Sequence, residues 1–175
     1  MKKILCSLFV VVLFSAFGVQ RANAEGHLQQ SVQLTHFGAY WKPHLSVDYS
    51  IGWRFNPYFY AGVATGAHLL HEYDYDSSTG SKTDYGWPLA LPLFADVVGY
   101  LPLPNKNSAF YLGAELGGMY VFSQTQKPNP LWLLNAKTGF DIAINDRMGI
   151  TVGIKLVTTG RPDYSGLALT TGFRF

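Results

Sequence analysis

The sequence predicts an all-β fold: an eight-stranded antiparallel up-and-down barrel of the membrane-spanning kind. Three observations carry that expectation. There is an N-terminal export segment, eight later segments alternate between an apolar and a small or polar face, and the composition is aromatic yet poor in charge. Of the 175 residues, 14% are charged and 15% aromatic. An ordinary soluble domain carries roughly 25% charged residues, whereas a disordered chain has few aromatics and high net charge. The 18 glycines follow no fixed period, which excludes collagen. No internal repeat suggests a solenoid, and the length suits one domain.

Residues 1–24 read as a signal peptide and 25–175 as the barrel domain. Lys2 and Lys3 precede an apolar run from Ile4 to Val19, and Ala22-Asn23-Ala24 has the small-x-small form of a cleavage site. A retained N-terminal anchor is the alternative. Cys6 opens the apolar run, whereas a lipidated cysteine would follow it. Cleavage removes Lys2, Lys3 and Arg21, leaving 10 basic against 11 acidic residues and a net charge of −1. That balance gives no case for nucleic-acid binding. Cleavage also removes the only cysteine, so neither disulfides nor a thiolate metal site is expected.

No stretch after Glu25 holds about 18 consecutive apolar residues, so no transmembrane helix is expected. The strands follow in order. Leu28 to Tyr40 alternates loosely. The second segment is the cleanest: Leu45, Val47, Tyr49, Ile51, Trp53 and Phe55 share one face, and Ser46, Asp48, Ser50, Gly52 and Arg54 the other. Pro57 to Leu70 is loose again. Leu89 to Val97 alternates with Ala90, Phe94 and Asp96. Phe110 to Phe122 alternates with Gly113, Glu115 and Gly117. Trp132 to Ile142 alternates with Asn135, Lys137 and Asp141. Met148 to Leu156 alternates with Gly149, Thr151, Gly153 and Lys155. Leu167 to Phe175 alternates with Ala168, Thr170, Gly172 and Arg174. Segments of about ten residues cross a bilayer at a tilt.

A soluble lipocalin-like barrel also alternates, but its polar face meets water and should be densely charged. Here that face is mostly Gly, Ser, Thr and Ala, which favours a crowded interior. The turns at Asn56-Pro57 and Asn145-Asp146 and the segment Pro102 to Ser108 are short. Tyr40 to Pro43, His71 to Trp87, Ser123 to Pro130 and Thr158 to Tyr164 are longer or more polar. Short periplasmic turns and long outer loops set the orientation. Trp53, Phe55, Tyr58, Phe59, Phe173 and Phe175 then form a periplasmic aromatic girdle. Tyr40, Trp41, Trp87, Tyr120, Phe122 and Trp132 form an outer one. Pro92 inside the fourth strand predicts a bulge, or a strand that becomes regular only after it.

The segment from Tyr49 to Val63, with Gly52-Trp53-Arg54-Phe55-Asn56-Pro57-Tyr58 at its centre, resembles the "GY-x-F-N-P-Y-hydrophobic-G-x-G" hairpin of small outer-membrane β-barrel proteins of the Bacteroidetes. Leu91-Pro92-Leu93-Phe94-Ala95-Asp96 resembles their "LPIFAN" strand, and Gly172-Phe173-Arg174-Phe175 resembles their ending. The resemblance covers most of residues 28–175. It implies the fold, the outer-membrane location, and passage through periplasmic chaperones and an insertion machine. It implies no activity.

Alternation places eight charges inside: Asp48, Asp96, Glu115 and Asp141 against Arg54, Lys137, Lys155 and Arg174. Unpaired buried charge is costly, so a narrow, balanced interior predicts ion pairing. Asp48, Glu115, Lys137 and Lys155 should share one height, with Glu115 and Lys137 paired on adjacent strands. An eight-stranded barrel is just wide enough for side chains to fill, so the expected lumen is a plug; a narrow gated channel or proton path is the alternative.

His36, His44, His68 and His71 map to the outer end. A Ser46–His44 pair oriented by Asp48 is the only acyl-hydrolase candidate, one that would act on lipid A, but same-face strand residues lie about 6–7 Å apart. No metal or cofactor site is indicated. The long outer loop carries Glu72, Tyr73, Asp74, Tyr75, Asp76, Asp84 and Tyr85. Tyrosine with Ser and Gly is the chemistry of adaptable binding surfaces, and a solvated hairpin extension is the plainer reading. The expected protein is a monomer surrounded by lipid and lipopolysaccharide, with a structural or surface-interaction role. A soluble periplasmic ligand binder is kept as the alternative.

Overall fold

Side chains that alternate in sequence here alternate in space. The computed structural model describes residues 26–39, 42–76, 78, 80–104, 108–122, 130–145, 148–160 and 164–175. The predicted signal peptide, Tyr40 and Trp41 lie outside them. Ten strands run in chain order: β1 (His27–Ala39), β2 (Lys42–Asn56), β3 (Phe59–Leu70), β4 (Glu72–Asp76), β5 (Ser81–Gly86), β6 (Leu89–Pro102), β7 (Ser108–Phe122), β8 (Pro130–Ala143), β9 (Gly149–Thr159) and β10 (Gly166–Arg174). Eight of them close an antiparallel barrel in the order β1-β10-β9-β8-β7-β6-β3-β2. At the seam, Gln30 and Phe175 exchange two backbone hydrogen bonds of 2.9 Å. Closure satisfies every strand edge, the condition for crossing a hydrocarbon layer with strands. Among the described residues no helix is long and apolar enough to cross a membrane.

The apolar face points outward. Leu93, Leu116 and Leu169 are 66%, 64% and 67% exposed. The polar face points inward, where Glu115 and Lys155 are each 1% exposed. A lipocalin-like barrel needs the opposite arrangement, so that alternative is overturned by the direction of the side chains. Water-soluble monomers rarely expose apolar patches beyond several hundred Å², and this belt runs around the whole ring.

The short turns β2–β3, β6–β7 and β8–β9 share one end with both chain ends of the barrel; this is the turn end. In the first of these turns the Tyr58 N–H donates to Asn56 Oδ1 at 2.8 Å. The opposite, loop end holds Trp87, Tyr120, Phe122 and Trp132, all exposed. Trp53, Phe55, Tyr58, Phe173 and Phe175 are exposed toward the turn end.

Two expectations need correction. The β1–β2 connection is only residues 40 and 41, as short as a turn-end hairpin, because β1 and β2 stay paired up to Ala39 and Lys42. Pro92 causes no bulge. β6 pairs with β7 without interruption, and β3 pairs with β6 in one register on both sides of it, at Thr65–Leu93 and His68–Ala90. The β3–β6 ladder lapses only beside Pro92, which has no N–H to give, and Thr65 Oγ1 donates to the Pro92 carbonyl at 2.8 Å. The long loop is a hairpin extension, as the plainer reading had it: a two-stranded sheet of β4 and β5. It carries a bulge at Glu72–Tyr73, opposite Gly86, whose φ of +83° is one that glycine adopts without strain.

Candidate functional site

All eight predicted charges face the lumen, in two groups. The first lies midway along the barrel. Lys137 on β8 reaches Asp96 Oδ1 on β6 at 2.8 Å and Glu115 Oε1 on β7 at 3.0 Å. Lys155 on β9 reaches Glu115 Oε2 at 2.8 Å and Asp48 Oδ2 on β2 at 3.6 Å. Asn135 Nδ2 donates to Glu115 Oε2 at 2.7 Å. The lysine ammonium of residue 155 also sits 5.5 Å from the Phe94 ring centre, a favourable cation–π placement. Asp48, Glu115, Lys137 and Lys155 share one layer, and Asp96 joins them.

The second group closes the turn end. Arg174 Nε lies 3.1 Å and Arg54 Nη1 3.7 Å from Asp141 Oδ2. Arg54 stacks over Tyr100 with its guanidinium carbon 4.1 Å from the ring centre. Gln29 binds both, donating to the Tyr100 hydroxyl at 3.5 Å and accepting from Arg54 at 3.3 Å. The buried rings of Tyr60, Tyr100 and Tyr111 pack with Val98 and Ala109 beside this group.

The loop end of the lumen is apolar. Leu70, Met119, Val121, Leu133, Val157 and Tyr164 pack together there. The sequence reading gave no hint of this cap and placed Tyr164 in the loop from Thr158 to Tyr164. The cap has a polar edge. Tyr164 donates to Glu72 Oε1 at 3.1 Å, and the His71 N–H donates to His44 Nδ1 at 3.0 Å. Glu72 is therefore buried at the base of β4, not on the outer surface where the loop reading put it.

His44 and His68 are 1% and 5% exposed, because both share the parity of inward residues on β2 and β3. His68 Nε2 is 2.8 Å from Asp48 Oδ1, a contact absent from the sequence reading. Ser46 donates to Asp48 Oδ2 at 3.4 Å. Its hydroxyl is thus directed at a carboxylate, whereas nucleophilic activation needs a base to take that proton. His71 is largely covered, its side chain 12% exposed, with Nε2 3.1 Å from Asp84 and its ring 4.8 Å from that of Trp87.

Of the predicted outer surface, the backbone of Tyr73, Asp74, Tyr75 and Asp76 forms β4, while their side chains lie outside the described part. Tyr85 is exposed on β5. Among the described residues no group of His, Cys, Asp and Glu is arranged to hold a metal ion.

No protein-family model matches the chain, and no curated protein matches it in sequence. Solved structures do resemble its fold. Neisserial surface protein A aligns with a TM-score of 0.56 at 16% identity, over 88% of this chain and 98% of that one. The N-terminal β-barrel domain of OprF from Pseudomonas aeruginosa aligns with a TM-score of 0.53 at 14% identity, over 86% and 98%. At these identities the likeness is one of fold: the chain is a closed eight-stranded barrel of the outer-membrane type.

Proposed function

We propose that the protein is an outer-membrane barrel with a structural or surface-interaction role, exported through a cleaved signal peptide spanning residues 1–24. One observation carries the reading: the apolar face is outside and the charged face inside, and the interior is closed by side chains. Hydrocarbon is the solvent in which that polarity is stable. Membrane lipid and lipopolysaccharide are then its surroundings, and an insertion machine assembles it there as a monomer. The hairpin from Tyr49 to Val63 supports membership of the small outer-membrane barrels of the Bacteroidetes. The β4–β5 hairpin is the part offered to the outside.

Two features favour this role over a pore or an enzyme. Each lumen carboxylate faces a lysine, arginine or histidine, leaving an apolar cap above and a stacked arginine below. Among the described residues, the serine–histidine candidates Ser46 and His44 are buried in that plug. Refolded protein in a planar bilayer tests the reading. Silent membranes are expected; a steady ionic current, or a lipid A species lost when the gene is deleted, would replace it with the channel or the hydrolase.

A further inference from the structure

Between the two charged layers, one stretch of the lumen wall at the seam is polar but uncharged. Thr35 on β1 and Thr170 on β10 are paired across the seam. Gly153 on β9 pairs with Thr170, and Gly139 on β8 pairs with Gly153. The Tyr111 side chain crosses from β7 over both glycines: a Cβ on Gly153 would lie 2.3 Å from its hydroxyl, and one on Gly139 2.9 Å. One inward position nearer the turn end, Gln33 and Thr151 flank Gly172. Lys155 stands one inward position above this patch on β9, and Arg174 one below it on β10.

Thr35, Thr170 and Tyr111 are at most 3% exposed. Thr170 is a neighbour of Tyr111, yet among the described residues none of the three hydroxyls has a hydrogen-bond partner. Gln33 and Thr151 also point inward but are only half-buried, so the lumen has room beside them. A buried hydroxyl left unpaired costs free energy. A water in a polar site with room for it makes about three hydrogen bonds and satisfies several such groups together.

We propose that this patch is an internal water-binding site, whose water links Tyr111 of β7 to the seam strands β10 and β1. Hydroxyls and the Gln33 amide both donate and accept, which fits a ligand that does the same. The five side chains carry no charge, so nothing among them offsets the desolvation of an ion. A larger solute has no entry, since the apolar cap closes the loop end and the Arg54–Tyr100 stack the turn end. The water is a structural ligand that ties the closing strands to the far wall, and the inference stands apart from any role at the cell surface.

Water-edited solid-state NMR of the protein refolded in lipid bilayers tests it. Magnetisation from water should reach the Thr35 and Thr170 side chains well before that of Thr65, which faces lipid and bonds the Pro92 carbonyl. Tyr111→Phe should weaken the transfer to Thr170. Transfer to Thr35 and Thr170 no faster than to Thr65 overturns the proposal. Urea unfolding gives a second answer, because Tyr111→Phe and Thr170→Val remove a hydroxyl and keep the shape. Both should lower the midpoint if water joins the two groups. A midpoint unchanged or raised in both marks the hydroxyls as dry and overturns the proposal. So does a lowered midpoint without transfer from water, which would mean a direct bond between the two hydroxyls.

Discussion

Lys155 Nζ stands 2.8 Å from Glu115 Oε2, although the two residues belong to β9 and β7, strands separated by β8. Lys137 on β8 likewise reaches Asp96 on β6, past β7. Ladder hydrogen bonds join only neighbouring strands, so these contacts brace the ring across its interior. Glu115 is the shared anchor of both lysines. Glu115→Ala should therefore destabilise the barrel by about 3–5 kcal/mol, the cost of leaving buried charge uncompensated. Urea unfolding from lipid vesicles measures it. Glu115→Leu combined with Lys155→Met should recover at least half of the loss, and unchanged stability in Glu115→Ala contradicts the bracing role.

Close packing beside the tyrosine layer depends on two glycines. Gly139 and Gly153 are directly paired across β8 and β9. A Cβ on Gly153 would lie 2.3 Å from the Thr138 carbonyl oxygen and 2.3 Å from the Tyr111 hydroxyl. Backbone cannot yield as a flexible side chain can. Gly153→Ala should cost about 1–3 kcal/mol through overpacking, read by the same unfolding measurement. Gly118→Ala is the comparison for space alone, since the nearest atom to its Cβ position is the Leu131 carbonyl oxygen at an ordinary 3.6 Å.

Barrel closure gives the third prediction. Phe175 exchanges two backbone hydrogen bonds with Gln30 and packs 5.9 Å from the Phe173 ring. Deleting Phe175 removes the last rung of the seam together with an outward aromatic. The amount of folded barrel recovered from membranes should fall, while the total synthesised stays constant in whole-cell blots. Equal recovery would detach the C-terminal aromatic from assembly.

The β4–β5 hairpin should be separable from the barrel. It pairs only with itself in its two-stranded sheet, and its base is held by the Tyr164–Glu72 contact. Replacing residues 73–85 with a short Gly-Ser linker should leave the heat-modifiable barrel intact and abolish any binding to cells or glycans. Tyr164→Phe should cost about 1–3 kcal/mol by leaving a buried acceptor without its hydroxyl, and should speed protease cleavage within the hairpin.

Strand existence, face assignment and the eight lumen charges were legible because a period of two assigns each residue to one side of a closed sheet. The same rule could have placed His68. Val63, Ala67 and Leu69 face outward on β3, so His68 must face inward; the many small residues of that strand hid the pattern. The partition of charges into two layers was not legible, because heights across a barrel depend on register and shear, which one strand's sequence does not encode. Pro92 misled for a related reason. Its missing N–H affects one side of the strand only, and closure carries the register through. The His44, Ser46 and Asp48 face was read correctly, but the opposing strand that supplies His68 to Asp48 was invisible from β2 alone.

Gel mobility of the outer-membrane fraction, with and without boiling, tests the central claim most directly. A closed barrel with an apolar exterior should sediment with that fraction, resist detergent when unboiled, and shift in mobility on heating. A protein recovered soluble from the periplasm, with the same mobility before and after boiling, would contradict the account.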